Sequence, residues 1–309
     1  MLIVFAACSE KNAKVDSPDN TSSSVVPVNV SAIYADNVAP AMKSDFDTPN
    51  PVDPSKATWT IHWNVGDEIA LFNQAGEGNG VIYQVKSIDG SGRASFELKE
   101  GEDVSKFGES TTFYACKGGL NTVSTPSYLY AEDVIRTGLS SFKSIQPGTI
   151  NNDFHIAIAK ATIDNGNLSF TFHNAVSYIR IVVPEGLTGA KRIYFAGKSN
   201  SYHGSGYFRV GFADSGEIDP ASYVGSLGQN VPVYYGNGAA TSAPTSSDDF
   251  VPGVYYVPIE PGYMVRKIIV YSSLSGTDAA NAIVSVTKDI SFPDPGVIYD
   301  LGTIPAAAD

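Results

Sequence analysis

The chain has 309 residues and a mass of 32.7 kDa, a length that favours two domains, and 43% of its residues are hydrophobic, enough for packed cores. Asp and Glu number 32 against 20 Lys and Arg, which gives a formal net charge of -12. An acidic surface repels phosphate backbones and excludes nucleic acid as a partner. Four His and two Cys leave almost no material for a zinc cluster, a haem site or a disulfide scaffold, so we expect no metal and no cofactor.

The chain begins with the segment MLIVFAACS, a short apolar run followed by two small residues and Cys8. This pattern is typical of a bacterial lipoprotein signal, in which the chain is cut just before a cysteine that is diacylated. The run is too short to cross a bilayer, which takes about 20 helical residues. The basic region that normally precedes it is absent. We interpret residues 1–7 as a truncated lipoprotein signal and Cys8 as the lipidation site.

Residues 8–24 are rich in Ser, Asp, Asn and Lys and show no apolar period. This composition favours a flexible tether that holds a folded domain away from a membrane.

The first predicted strand follows the tether. Its apolar side chains alternate with polar ones and would share one face of an extended segment: Val26, Val28, Val30, Ala32 and Tyr34. A loop rich in Pro and Asp, residues 36–56, is predicted after it.

Alternation with a period of two continues along the chain. It predicts strands around Val81–Val85 and Leu168–Phe172, and a strand partly buried on both faces over Met264–Tyr271. Cys116, in the strand-like run Phe113–Cys116, is interpreted as a small buried hydrophobe. No stretch of about 12 residues has a convincing helical period. The chain is predicted to be all-β.

The number of strand candidates fits two β-sandwich domains, which we place at residues 25–164 and 165–309. The boundary has two alternatives. The turn Asp164–Asn167 separates the domains, or it is an Asn-Gly hairpin that keeps the next strands in the first domain. In the second case Pro184–Gly186 becomes the boundary.

Motifs for catalysis are not found. The chain contains no Gly-x-Ser-x-Gly elbow, no His-Glu-x-x-His and no phosphate-binding loop. Ser205 stands near His203 but lacks the strand–turn–helix setting of a nucleophile, and the acidic loop with Asp45, Asp47 and Asp53 lacks the calcium-loop pattern. A carboxylate pair for glycoside hydrolysis stays open because 32 acidic residues are present. We do not expect an enzyme.

Four segments, in order along the chain, resemble the Bacteroidales fimbrillin family of fimbrial subunit lipoproteins: Thr58–Phe72 with its Trp-x-x-Gly-Asp-x-Ile pattern, Phe113–Ala115, Phe170–Arg180 and Gly296–Ile304. With the lipoprotein signal, these matches extend over nearly the whole chain.

The resemblance implies two tandem transthyretin-like β-sandwich domains and export as a lipoprotein to the outer membrane. It also implies assembly with other fimbrial subunits. In polymerising members a protease removes the first strand, and a strand of another subunit fills the groove. Val26–Tyr34 is the strand that would be exchanged here. Burial of its five alternating side chains would contribute about 8–12 kcal/mol before ordering costs.

One departure concerns processing. Members matured by an Arg-specific protease carry an Arg after the first strand, whereas the first Arg here is Arg93. Lys43 and Lys56 are the basic residues at the corresponding place. Either another protease acts, or the strand stays and the protein is a tip, an anchor or another surface lipoprotein that does not polymerise.

A glycan-binding or host-binding module on the same fold is the second hypothesis. Its site would be an aromatic platform of Tyr202, Tyr207, Tyr234 and Tyr235, for which packing on strand faces is the favoured alternative. Host or bacterial surface ligands would be its partners. A hydrolase with an unrecognised carboxylate pair is the third hypothesis.

Overall fold

The computed structural model describes residues 26–27, 29–35, 50–53, 56–58, 62–73, 80–118, 128–139, 142–148, 154–197, 206–225, 230–236, 238–240, 243–292 and 295–306. The strands in these ranges are β1 (Asn29–Tyr34), β2 (Asn50–Asp53), β3 (Lys56–Thr58), β4 (Glu68–Asn73), β5 (Val81–Ile88), β6 (Ala94–Leu98), β7 (Thr112–Lys117), β8 (Tyr128–Ala131), β9 (Val134–Leu139), β10 (Phe142–Ile145), β11 (Ala157–Thr162), β12 (Asn167–Asn174), β13 (Ser177–Val183), β14 (Arg192–Gly197), β15 (Gly206–Phe212), β16 (Ile218–Gly225), β17 (Asn230–Tyr235), β18 (Gly238–Ala240), β19 (Gly253–Ile259), β20 (Tyr263–Tyr271), β21 (Ala282–Phe292) and β22 (Val297–Thr303). Two short 3₁₀ turns lie at Val104–Lys106 and Ala279–Asn281. The prediction of an all-β chain is confirmed.

The N-terminal strands form a closed barrel in the order β1-β12-β11-β7-β4-β5-β6. Its interior is one apolar cluster, to which every strand of the barrel contributes. The alternation predicted for two of these strands is confirmed, since Val81, Tyr83 and Val85 are buried, as are Leu168, Phe170 and Phe172.

Three further sheets contain the rest of the described strands. Their orders are β18-β10-β17-β14-β20-β21, β19-β13-β22-β3-β2 and β16-β15-β9-β8. A second apolar cluster joins them. Strands β4 and β7 contribute to both clusters, because Leu71 and Phe113 point into the barrel while Phe72 and Tyr114 pack outside it.

The turn between β11 and β12 is a hairpin. Asp164 and Asn167 exchange backbone hydrogen bonds of 2.9 and 2.8 Å, and Asn165 and Gly166 have φ values of 48° and 80°. Positive φ at both central residues is the geometry that Asn-Gly favours in two-residue hairpins. The turn therefore follows the second of the two alternatives, and β12 stays in the same sheet as β11.

The sheets do not follow the predicted division into residues 25–164 and 165–309. Strand β9 pairs with β15, β10 pairs with β17, and β3 pairs with β22. These pairings join segments far apart in sequence, which hydrophobic periodicity cannot reveal. The segment predicted as a loop over 36–56 also contains β2 and the start of β3. The transthyretin-like arrangement stays a prediction.

Candidate functional site: the first strand and its seat

Strand β1 closes the barrel. It runs parallel to β12, with Val30 opposite Leu168 and Tyr34 opposite Phe172, and antiparallel to β6, with Ala32 opposite Ala94. Both edges of β1 are therefore hydrogen-bonded within the barrel. Removal of β1 would leave an unpaired edge on two strands at once.

The inward side of β1 consists of three side chains. Val30, Ala32 and Tyr34 are buried. Val26 is 39% exposed, so its predicted inward position is wrong: paired structure begins only at Asn29, and the alternation does not extend back to Val26. Val28 lies outside the described residues. The three described inward side chains account for about 4–6 kcal/mol of gross burial energy.

Tyr34 is the largest of these groups and enters an aromatic cluster. Its ring stacks on Trp63 with centroids 4.7 Å apart and an interplanar angle of 25°. Trp63 in turn meets Phe96 and Phe172 edge to face, at 5.2 and 5.1 Å. Such aromatic pairs add about 0.5–1.5 kcal/mol each beyond area burial. The cluster makes Tyr34 the main anchor of β1.

A buried ion pair lies beside this cluster. The Lys117 ammonium is 2.7 Å from Asp67 Oδ2 and 5.1 Å from the Trp63 ring centroid. Burial lowers the pKa of Lys117, and the charge of Asp67 opposes this effect. The carboxylate and the aromatic face together compensate a charge whose residue is only 5% exposed. Sequence reasoning missed this pair, although a lysine at the end of the apolar run Phe113–Cys116 is a visible signal.

His155 supports the same end of β1. Its ring lies 5.7 Å from that of Tyr34, and its Nε2 is 2.7 Å from Asn174 Oδ1. Burial, aided by the charge of Lys117, lowers the pKa of His155 to about 3, so the ring is neutral near pH 7. Because the acceptor is the amide oxygen Asn174 Oδ1, Nε2 carries the ring proton and donates the hydrogen bond.

Two polar groups in the cluster have no hydrogen-bond partner among the described residues. They are the Tyr34 hydroxyl and Trp63 Nε1, both buried. Burial raises the pKa of Tyr34 well above its usual value, with Asp67 adding to the effect, so the hydroxyl keeps its proton. A buried donor without a partner costs about 1–3 kcal/mol. We call the neighbours of β1, which are strands β6 and β12 and the aromatic cluster around Trp63, its seat. The seat binds Tyr34 strongly through its ring and poorly through its hydroxyl.

Of the predicted processing and lipidation residues, only Lys56 lies in the described part of the chain. Lys56 starts β3 and is paired with Tyr299 of β22 and Asp53 of β2. A protease needs an extended, unpaired segment, so this position is a poor cleavage site unless β3 detaches. Lys43 and Cys8 lie outside the described residues.

The three described tyrosines of the alternative aromatic platform do not share one surface. Tyr234 of β17 is buried, and Tyr235 packs edge to face on Phe250. Tyr207 belongs to β15 in a different sheet, where its ring stacks with Arg136. Tyr202 lies outside the described residues. Cys116 is buried, in agreement with its interpretation as a small hydrophobe.

A second buried charged pair, Lys143 and Glu260, lies in the other apolar region. Burial lowers the pKa of Lys143 to about 7 and raises that of Glu260 well above its usual value, and each charge opposes the shift of the other. Neither carboxylate oxygen of Glu260 has a hydrogen-bond partner among the described residues. The Glu260 carboxylate occupies the space that a side chain at Gly225 would fill. We assign the pair no ligand.

Within the described ranges no group of three or more His, Cys, Asp or Glu could hold a metal ion. In the same ranges, no helix has the length and apolar character to cross a bilayer.

No protein-family model matches the chain, and no curated protein is similar to it. Solved structures do show similarity. A candidate cell adhesion protein from Bacteroides ovatus has a TM-score of 0.42 and 13% identity, covering 91% of this chain and 93% of its own. The fimbrial anchor protein Mfa2 from Porphyromonas gingivalis has a TM-score of 0.34 and 10% identity, covering 84% and 81%.

A fimbrial protein from Bacteroides ovatus has a TM-score of 0.31 and 14% identity, and the match covers 91% of this chain but 51% of that protein. These three structural neighbours carry names that refer to cell adhesion or fimbriae.

Proposed function

We propose that the chain is a non-enzymatic fimbrial or adhesive subunit of the cell surface that joins other subunits by exchange of strand β1. The observation that carries the proposal is the seat of β1. One short strand closes the barrel through hydrogen bonds on both edges and contributes three side chains to its interior. An incoming strand of the same pattern would restore both.

The seat also defines what an incoming strand must provide. Ala32 lies opposite Ala94 and is fully buried, so a large residue at this position would overfill the barrel. Two residues later, an aromatic ring is needed to stack on Trp63. The unsatisfied Tyr34 hydroxyl makes the resident strand less than optimal, which favours replacement by a strand with an aromatic residue that lacks this hydroxyl.

The proposal includes a lipid anchor. Acylation of Cys8 would attach the chain to the outer membrane, and residues 8–24 would serve as the tether. Mass spectrometry of the membrane-extracted protein tests this part, with Cys8→Ser as the variant that should lose both the lipid mass and membrane attachment.

Strand exchange is tested on the full chain with a site for a sequence-specific protease inserted at Lys43. After cleavage, we expect an SDS-resistant ladder on unboiled gels, because a freed seat can accept a strand of the same pattern that is still covalently joined to the folded part of another copy. A peptide of residues 26–35 in excess should suppress the ladder. The matched peptide with Ala32→Trp should not suppress it, since Ala32 faces Ala94.

A cut protein that stays monomeric by light scattering, with the β1 peptide still bound, would contradict exchange. That outcome would favour the second candidate, a tip, an anchor or another surface lipoprotein that does not polymerise. The pairing of Lys56 within β3 is the specific observation in favour of this candidate, because it removes one of the two basic processing sites.

A further inference from the structure

The sheet β16-β15-β9-β8 has an outer face on which arginines and tyrosines interleave. Its inner face belongs to the core, where Ile135, Phe208 and Val210 are buried. Because side chains alternate along a strand, Arg136 of β9 and Arg209 of β15 point to the opposite side. Nothing in the seat of β1 uses this face.

Each arginine stacks on a tyrosine. The Arg136 guanidinium lies 4.2 Å from the Tyr207 ring centroid, on the neighbouring strand. The Arg209 guanidinium reaches across β9 and lies 4.0 Å from the ring centroid of Tyr130 in β8. A guanidinium that stacks on a ring keeps its N–H groups at its own edge, where they can donate to a planar anion.

The two arginines are also direct cross-strand neighbours. Arg209 pairs with Arg136 in the register of β15 and β9. Like charges directly opposite each other repel, and an anion bound to the two guanidinium groups would reduce that repulsion. The ion pairs among the described residues do not include Arg209. Two positive charges are thus concentrated on one face of a chain whose net charge is -12.

Apolar surface borders the arginines. Tyr130 is 47% exposed, and Val224, which pairs with Arg209 from β16, is 48% exposed. Exposed apolar groups next to fixed hydrogen-bond donors are the composition of a site for an amphipathic ligand.

We propose that this face, formed by Tyr130, Arg136, Tyr207, Arg209 and Val224, binds a glycan that carries carboxylates. Its carboxylates would pair with the two guanidinium groups, and its sugar C–H faces would contact Tyr130 and Val224. A uronic acid holds its carboxylate directly on the ring and loses less rotational freedom on binding than a Glu side chain, which favours a glycan over an acidic protein. The site is separate from the seat of β1 and does not depend on strand exchange.

Calorimetric titration of the full chain with oligogalacturonate tests the proposal, and the fully methyl-esterified oligomer serves as the uncharged match. We expect binding of the acid and none of the ester. Arg209→Gln and Arg136→Gln should each weaken binding about tenfold or more, as expected for loss of a charge-assisted hydrogen bond. Arg266→Gln is the matched control, since Arg266 is exposed on β20 and its loss changes the net charge equally. It should change the affinity less than twofold.

Arg209→Lys keeps the charge and the fold but removes the planar group, and we expect the same loss as in Arg209→Gln. Thermal melts of all variants exclude unfolding as the cause. The proposal is overturned by absence of binding at millimolar oligogalacturonate, by equal binding of the ester, or by an equal loss in Arg266→Gln. Equally tight binding of polyglutamate would overturn it in favour of an acidic protein partner.

Discussion

Strands β1 and β7 belong to the same barrel but differ in what surrounds them. From Phe113 to Lys117, every residue of β7 is buried, because one face points into the barrel and the other packs against the second apolar cluster. In β1 only the inward residues are buried, and Asn29, Ser31 and Ile33 on the other face are partly or fully exposed. The barrel therefore packs against the second apolar cluster through β4, β7 and β11, the last of which contributes Ile158. It should open at the lowest cost on the β1 side.

The largest effect is expected on the attached side. Phe113→Ala should lower the free energy of unfolding by about 3–5 kcal/mol, since Phe113 is fully buried in β7. If β1 opens by itself, hydrogen exchange should show reduced protection of the β7 amides and unchanged protection of the β1 amides. This follows because the opening of β1 leaves β7 in place in both the closed and the open state.

Val30→Ala is the comparison in β1, and it should lower protection in both strands. Thr171→Ala, on the exposed face of β12, should change the free energy of unfolding by no more than about 0.5 kcal/mol. If the Phe113→Ala variant instead loses protection equally in β1 and β7, then β1 opens only together with the whole barrel. The two strands would then not differ in the free energy of opening.

The second effect concerns pH and the support of β1. His155 has a pKa of about 3 in the folded chain against 6.5 when exposed, and burial is the main cause. Above pH 6.5 it is neutral in both states. Below that value the unfolded chain binds a proton that the folded chain does not, so the free energy of unfolding falls by about 1.4 kcal/mol per pH unit. By pH 4 the loss attributable to this residue should be about 3 kcal/mol.

Urea unfolding at pH 6.5, 5 and 4 measures this effect. In His155→Gln the amide can still donate to Asn174 Oδ1 but does not titrate, so its stability should fall less steeply towards acid. Carboxylates elsewhere affect both proteins equally. If the free energy of unfolding fell equally steeply with pH in both proteins, His155 would not have a lowered pKa in the folded chain. Because the ring lies beside Tyr34, acid should also lower the protection factors of the β1 amides more than those of the β7 amides.

The sequence predicted those parts of the fold that depend on local pattern. Alternating apolar residues identified β5 and β12 and their buried faces, because a one-sided strand has the same period in sequence and in space. The wrong prediction that Val26 is buried has the same origin. The alternation in the sequence extends back to Val26, whereas the strand itself begins at Asn29.

The contacts that define the candidate sites depend on register between distant segments. Lys117 and Asp67 are 50 positions apart and meet only because β7 pairs with β4. Arg136 and Arg209 become neighbours only through the pairing of β9 with β15. A lysine at the end of an apolar run is visible in the sequence, but which residue it pairs with is not. The sequence therefore indicated the strand β1, whereas the ion pair beside it and the arginine–tyrosine face required the structure.

The smallest predicted effect tests how well β1 fits its seat. Tyr34→Phe removes a hydroxyl that has no partner among the described residues and keeps the ring that stacks on Trp63. We expect the free energy of unfolding to rise by about 1 kcal/mol, because an unsatisfied buried donor is removed. Tyr263→Phe is the matched control: this buried hydroxyl donates to the Phe195 carbonyl at 2.9 Å, so its loss should lower stability by about 1 kcal/mol. If both variants lost stability, the Tyr34 hydroxyl would have a partner in solution. The resident strand would then fit its seat better than the structure indicates, and exchange would lose the energetic advantage inferred here.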